Sequence, residues 1–217
     1  MSLRTLLVAN RGEIAIRIMR AAAELGIRSI AVYSEDDGNS LHVRKADEAL
    51  PLRGRGAAAY LDMDQLLSVA SGAGCDGVHP GYGFLAENAE FARRCAASGM
   101  TFVGPTPEAL ALLGDKAAAR ALASREGVPV LTGTQGPVTL DEARGFMERL
   151  GQPIVIKAVA GGGGRGMRIV RDLAELPEAY ERCRSEAQAA FGNGDVYAEQ
   201  LLERARHVEV QVLADAT

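Results

Sequence analysis

The sequence predicts an α/β protein, with a doubly wound parallel sheet in its first half followed by a second unit built around a hairpin. Two observations carry that reading. Over roughly the first hundred residues, short apolar runs alternate with helical patterns, and strands alternating with helices in this way pair in parallel under helices on both faces. After Gly127-Val128-Pro129 the rhythm changes, and two apolar runs flank a stretch, Gly161 to Gly166, in which every residue but Arg165 is glycine.

Taken in order, Thr5 to Ala9 is a short buried-strand run, and Glu13 to Leu25 is a helical pattern ended by Gly26. Arg28 to Tyr33 is the next strand. A helical stretch from Met63 to Ala70 precedes the strand Gly77-Val78-His79, and another from Asn88 to Ala97 precedes Met100 to Val103. The crossovers should be right-handed, with functional loops at the carboxyl ends of the strands. Pro105 to about Arg125 is helical and broken near Gly114-Asp115. Asp141 to Leu150 is a helix, followed by the strand Ile154-Val155-Ile156-Lys157, the glycines, and the strand Met167-Arg168-Ile169-Val170. A long polar helix from about Leu173 to Ala190 comes next, then strands at Val196 to Glu199 and His207 to Leu213. The last of these alternates polar and apolar residues, as a half-solvated antiparallel strand should. The boundary between domains falls between Gly114 and Thr134. Thr217 comes only a few residues after a strong strand, so a piece of something longer is expected.

Composition excludes several classes. The net charge of −4 comes from interspersed acids and bases, and Tyr 5, Phe 5 and Trp 0 leave few rings for base stacking. No nucleic-acid partner is expected. Cys75, Cys95 and Cys183 are odd in number and widely spaced, which suits a reducing compartment and not a disulfide framework or zinc site. No apolar run approaches the ~20 residues of a membrane span, and Met1-Ser2-Leu3-Arg4 leads into a strand without a signal-peptide pattern. The reading is a soluble, cytoplasmic protein with no membrane partner.

Lys157 and the glycines carry the chemistry. Dense glycines expose a row of backbone N–H groups that can close over phosphates, and the lysine adds a cation just before them. Gly161, Gly163 and Gly166 match G-x-G-x-x-G, yet an apolar strand follows where a dinucleotide fold needs a helix. Met167-Arg168 stands where a P-loop needs Lys-Ser/Thr, and the protein-kinase order puts the glycine loop before its lysine. A glycine-rich linker is the alternative, but linkers seldom carry formed apolar strands on both sides. The pattern describes a hairpin lid over a nucleotide.

Five segments in one order then carry a resemblance: Val8 to Ala15 (VANRGEIA), His79 to Asn88 (HPGYGFLAEN), Gly114-Asp115-Lys116, Lys157 with Gly161 to Met167, and Arg206 to Gln211 (RHVEVQ). Through them the chain resembles biotin carboxylase, the ATP-grasp component of acetyl-CoA, propionyl-CoA and pyruvate carboxylases. The resemblance implies a pre-ATP-grasp, Rossmann-like domain over 1–113, a helical linker over 114–134, an ATP-grasp lid subdomain over 135–204, and the start of the C-terminal ATP-grasp subdomain over 205–217. It also implies a chemistry in which Mg-ATP phosphorylates bicarbonate and the carboxyphosphate formed carboxylates biotin. Such phosphoryl transfer rests on positioning and charge neutralisation.

Residue by residue, the resemblance makes Lys116, Lys157, Gly162, Gly163, Gly164, Arg165, Gly166, Met167, Glu199, Gln200, Leu202 and His207 an ATP-binding set, with the Glu199 side chain and the Leu202 backbone against the adenine. Gln200 stands where the family commonly has lysine, which a backbone contact would tolerate. Read alone, Lys116 is a solvated helix residue and His207 a structural one. Tyr82 and Gly83 match a biotin-side loop, and the residues themselves leave a structural turn equally open. Asn10 to Glu13 is expected mainly to build the fold, with Arg17, Arg20 and Glu24 on a face used in dimer contacts. No catalytic residue and no metal ligand is expected within the chain, the Mg2+ ligands lying beyond residue 217.

Implied partners are biotin on a biotin carboxyl carrier protein or domain, a carboxyltransferase component, and a second copy in a homodimer. Three other functions compete. Another ATP-grasp ligase, such as a carbamoyl-phosphate synthetase, lacks the His79 to Asn88 loop. A non-catalytic dimerising or nucleotide-binding module suits the abrupt end at Thr217. An NAD-dependent oxidoreductase would need three glycines where the first turn offers only Gly12.

Overall fold

In the computed structural model, which describes residues 3–160 and 166–212, the chain divides into two units, Met1–Asp115 and Lys116–Thr217. In the first, the apolar runs become strands β1 (Thr5–Val8), β2 (Arg28–Tyr33), β3 (Glu48–Pro51), β4 (Gly77–His79) and β5 (Thr101–Phe102). They pair in parallel in the order β3-β2-β1-β4-β5. Between and after them run α1 (Gly12–Glu24), α2 (Leu41–Lys45), α3 (Met63–Gly72), α4 (Ala89–Ala97) and α5 (Pro107–Gly114).

Because successive strand side chains point to opposite faces, the central strands are apolar on both. Leu7, Ile30, Val32 and Val78 pack with Leu66, Ala70, Phe91 and Cys95 of α3 and α4. Leu6, Val8 and Ala31 pack on the other face with Ala15, Ile18, Met19 and Ala22 of α1. This is the doubly wound sheet that the sequence predicts. Its order reverses between β1 and β4, which brings together the loops leaving their carboxyl ends. Such a reversal point is where ligands of open α/β sheets bind.

The sequence reading passed over β3, α2 and a 3-10 turn at Gly56–Leu61. β3 is an edge strand of four residues ending in Pro51, with no fully buried position, so neither strong periodicity nor a long apolar run marks it.

The second unit contains α6 (Lys116–Arg125), α7 (Leu140–Leu150), β6 (Ile154–Ala158), β7 (Met167–Val170), α8 (Leu176–Phe191) and β8 (Val196–Gln200). The three strands are antiparallel in the order β7-β6-β8. Thr139 and Glu142 form a reciprocal capping box at the start of α7, and Gly151 and Gly192 close α7 and α8 in the left-handed region. Ile154, Ile156, Val170, Val196 and Ala198 face Ala143, Phe146, Met147, Leu176, Tyr180 and Cys183 of the two helices. Each fully buried isoleucine contributes about 1.5–3 kcal/mol. The alternation leaves Val155, Lys157, Met167, Ile169, Tyr197 and Glu199 together on the opposite face.

One expected strand does not form: residues 207–212 are without strand structure, with Val208, Val210 and Val212 exposed. The alternating pattern is there, but among the described residues no strand pairs with it, and alternation cannot make a ladder without a partner. The segment Gly162, Gly163, Gly164 and Arg165 lies outside the described residues. Among those residues no helix is long and apolar enough to cross a membrane.

Candidate functional site

The face of the second sheet that turns away from α7 and α8 carries Lys157 and Glu199. Lys157 on β6 lies opposite Met167 of β7 and Tyr197 of β8, and Val155 lies opposite Glu199. A lysine and a glutamate two rungs apart on neighbouring strands are within reach of each other, and the Lys157 ammonium donates to Glu199 Oε2. The Arg120 guanidinium, from α6, pairs with the other oxygen, Oε1. Glu199 is 7% exposed, so this carboxylate is largely withdrawn from water and satisfied by two cations. A buried charge persists only on such terms. Burial and the charge of Glu199 push the neighbouring Tyr197 hydroxyl up to about 12.

Lys116, the first residue of α6, reaches the same neighbourhood. Its ammonium donates to the Val159 carbonyl at 3.1 Å, one residue past the end of β6. Two cations therefore pair with the Glu199 carboxylate, and a third is tied to the backbone just past the end of β6. Gly166 closes the hairpin by accepting from the Ala158 amide at 2.8 Å. At φ +67° a side chain is strained, and a Cβ would sit 2.9 Å from the Ala158 Cβ, so this position requires glycine.

The remaining residues of the expected ATP set are distributed differently. Gln200 turns its amide to Gln152 at 2.7 Å, and its backbone N–H donates to the Thr132 carbonyl at 2.8 Å. Leu202 is exposed. His207 is exposed and lies 3.5 Å from Glu209. The structure thus brings together Lys157, Met167 and Glu199 on one face of the sheet, with Lys116 and Gly166 tied to the end of β6.

In the first unit, the loops after β1 and β4 line a cleft of about 450 Å3 whose walls include Arg11, Glu13, Asp37, Tyr82 and Phe84. Asn10, 3% exposed, is the pin. Its amide donates to the Pro80 carbonyl at 2.6 Å and the Tyr82 carbonyl at 2.8 Å. Gly81 at φ +68° lies so close that a Cβ would meet Asn10 Nδ2 at 2.7 Å. The Tyr82 hydroxyl donates to the Glu13 carboxylate, which raises the tyrosine's pKa and lowers the glutamate's.

Beneath the cleft, Arg11 pairs with Asp37 at 3.0 Å and lies over the stacked rings of Tyr60 and Phe84. Burial pulls the Asp37 carboxyl up, but hydrogen bonds from Arg11, Tyr60 and Ser40 outweigh it and hold it below the usual carboxylate range. Tyr60 is pushed up to about 12, chiefly by burial.

Sequence reasoning missed Asn10 as a loop anchor, the Asp37–Tyr60 pair, and Arg120. Nothing local marks them. Arg120 in particular is one basic residue on a short helix, indistinguishable in sequence from a solvated one.

A doubly wound α/β unit followed by an antiparallel sheet with a lysine at the base of its glycine hairpin defines an ATP-grasp type of protein. Comparison with known families narrows this. The biotin carboxylase N-terminal domain model matches residues 2–110, and the model of the carbamoyl-phosphate synthase L chain ATP-binding domain matches residues 115–217. The chain belongs to the biotin carboxylase family.

It is 54% identical to a pyruvate carboxylase of Aspergillus niger over 99% of its own length and 18% of that protein's. It is 52% identical to the mitochondrial pyruvate carboxylase of Homo sapiens, over 98% of this chain and 18% of that one. The chain thus spans less than a fifth of the length of these relatives. Among solved structures, the biotin carboxylase domain of Hydrogenobacter thermophilus 2-oxoglutarate carboxylase is a dimer complexed with MgADP, ADP and bicarbonate. It matches with a TM-score of 0.90 at 43% identity over 94% of this chain and 45% of that one. Campylobacter jejuni biotin carboxylase, in a β-γ-ATP complex, matches with a TM-score of 0.89 at 40% identity over 93% of this chain and 46% of that one.

Proposed function

We propose that this chain belongs to the biotin carboxylase part of a biotin-dependent carboxylase, in which Mg-ATP phosphorylates bicarbonate and biotin on a carrier protein or domain is carboxylated. The observation that carries the reading is the group of three cations at the hairpin, with Lys157 held by Glu199. An ammonium in an ion pair with a carboxylate can exchange it for a phosphate oxygen without being left bare, so the site is poised for a polyanion. The residues fit a nucleotide. Lys157 and Lys116 would neutralise phosphate oxygens, the glycines and Met167 are assigned to the same phosphates, and the Glu199 carboxylate would accept from the exocyclic amine of adenine. Magnesium, when bound, would supply charge neutralisation to the phosphates; its ligands are assigned outside residues 1–217.

The Tyr82–Gly83 loop is assigned to the biotin side, where Asn10 gives it a fixed shape. Domains are assigned at 1–113, 114–134, 135–204 and 205–217. Arg17, Arg20 and Glu24, all exposed on α1, are assigned to a homodimer face, and a carboxyltransferase component completes the assembly. Relatives at 52% to 54% identity that are pyruvate carboxylases favour pyruvate as the final acceptor.

The test is ADP release from the full-length protein, with and without bicarbonate and biotin. Bicarbonate-dependent release that Lys157→Ala abolishes supports the reading. Release indifferent to bicarbonate defeats it. Residues 1–217 alone are expected to release none.

A further inference from the structure

Arg120 is the one member of the charged group for which sequence and family resemblance provide no role. Its two terminal nitrogens are both engaged. Nη1 pairs with Glu199 Oε1, and Nη2 donates to the Leu131 carbonyl at 2.6 Å. The guanidinium also fixes what can stand beside it, because a Cβ on Gly133 would meet Nη2 at 2.8 Å, Nη1 at 2.9 Å and Glu199 Cγ at 2.9 Å. Gly133 in turn forms a bridge with Glu199, and the flanking bonds Gln200 N–H to Thr132 O and Thr134 N–H to Ala198 O, each 2.8 Å, lay this segment along β8. One side chain from α6 therefore locks the 131–134 segment against β8 and fixes the Glu199 carboxylate by one oxygen.

The two oxygens of Glu199 are not equivalent. Oε1 is held by a planar fork whose other arm is tied to backbone, whereas Oε2 is held by a flexible ammonium. Phosphates can draw Lys157 away; they leave Arg120 where it is. Oε2 then becomes an acceptor at a fixed position that can only accept. A purine with an amino group at C6 donates to it. A purine with a carbonyl at C6 sets an oxygen against an oxygen.

We propose that Arg120 is a positioning residue of the nucleotide site and, through Glu199, sets its preference for a 6-aminopurine over a 6-oxopurine. This rests on the nucleotide-site reading above. Without the fork, Glu199 is free to turn away or to follow Lys157, and the penalty against the 6-oxo base falls.

The experiment titrates the full-length protein with ATP and with inosine triphosphate, whose bases differ at C6 and in the hydrogen that the 6-oxo base carries on the adjacent N1. The wild type is read first. It should bind ATP more tightly than inosine triphosphate by at least about tenfold, the scale of one hydrogen bond exchanged for an unpaired polar contact. Arg120→Met should cut that preference roughly tenfold, mainly by weakening ATP, while Arg120→Lys, which keeps the charge but not the fork, should restore part of it. If the methionine variant fails to fold, Arg120→Gln takes its place. A preference unchanged in the variants, or an equal loss of affinity for both nucleotides, overturns the proposal, since a purely structural role would weaken both alike. A wild type that binds neither nucleotide overturns the site reading itself, and the proposal with it.

Discussion

Replacing Asn10 with alanine removes both donors that shape the 80–83 loop, and the cost can be worked bond by bond. The Pro80 carbonyl is buried and loses a 2.6 Å bond, which costs about 1–3 kcal/mol for an unpaired buried acceptor. The Tyr82 carbonyl and the Arg11 N–H lose bonds of 2.8 Å each. Both are partly accessible to water, so each loss is about 0.5 kcal/mol. The first unit should therefore lose about 2–4 kcal/mol, which at a slope of about 2 kcal/mol/M moves its urea midpoint down by about 1–2 M.

Asn10→Asp sharpens the argument. Aspartate fills the same space but has no N–H to give and sets a carboxylate against two carbonyls, so it should cost more than alanine at pH 7. The assay is urea unfolding followed by circular dichroism, with hydrogen exchange at residues 80–88 to locate the loss. If aspartate falls within about 0.5 kcal/mol of wild type, volume and not donation is what Asn10 supplies, and the reasoning fails.

Three further outcomes are expected. Lys157→Ala should weaken nucleotide binding by about 10- to 150-fold, the value of a charge-assisted contact of roughly 1.5–3 kcal/mol; equal affinities by titration calorimetry would remove Lys157 from the site. Gly166→Ala, placed at φ +67° with its Cβ 2.9 Å from that of Ala158, should destabilise the second unit by about 2 kcal/mol in thermal unfolding, and an unchanged midpoint would show that the hairpin can open there at no cost. His42 and His79 are both held below the ordinary histidine range by burial, and His79 Nδ1 accepts from the Gly81 N–H at 3.0 Å. As pH falls, the unfolded chain takes up these protons before the folded one, so the first unit's stability is full above about pH 6.5 and is lost progressively below it; a thermal midpoint constant from pH 7.5 to 5.5 would contradict this.

Much of this was legible in the residues, and the parts that were not share a cause. The central strands β1, β2 and β4 and the hairpin strands β6 and β7 stood out because a buried strand must be apolar and a residue at φ +67°, as Gly166 is, must be glycine, constraints that act within a few neighbours. The edge strand β3 escaped because it is half-solvated and ends in proline. The 207–212 segment showed the reverse failure, carrying a strand's alternation without a described partner to pair with.

The candidate site divides along the same line. Lys157, Lys116, Met167 and Glu199 could be singled out from glycine spacing and resemblance, because short-range pattern carries them. That Arg120 grips the far oxygen of Glu199, 79 positions along the chain, or that Asn10 holds a loop 70 positions away, has no local signature. The sequence by itself determined the strands, the helices and the identity of the hairpin, since propensity, periodicity and backbone conformation are properties of neighbours. Only the tertiary structure decided which polar side chains meet, because burying a charge or an amide is tolerable only when folding delivers its partner from elsewhere in the chain.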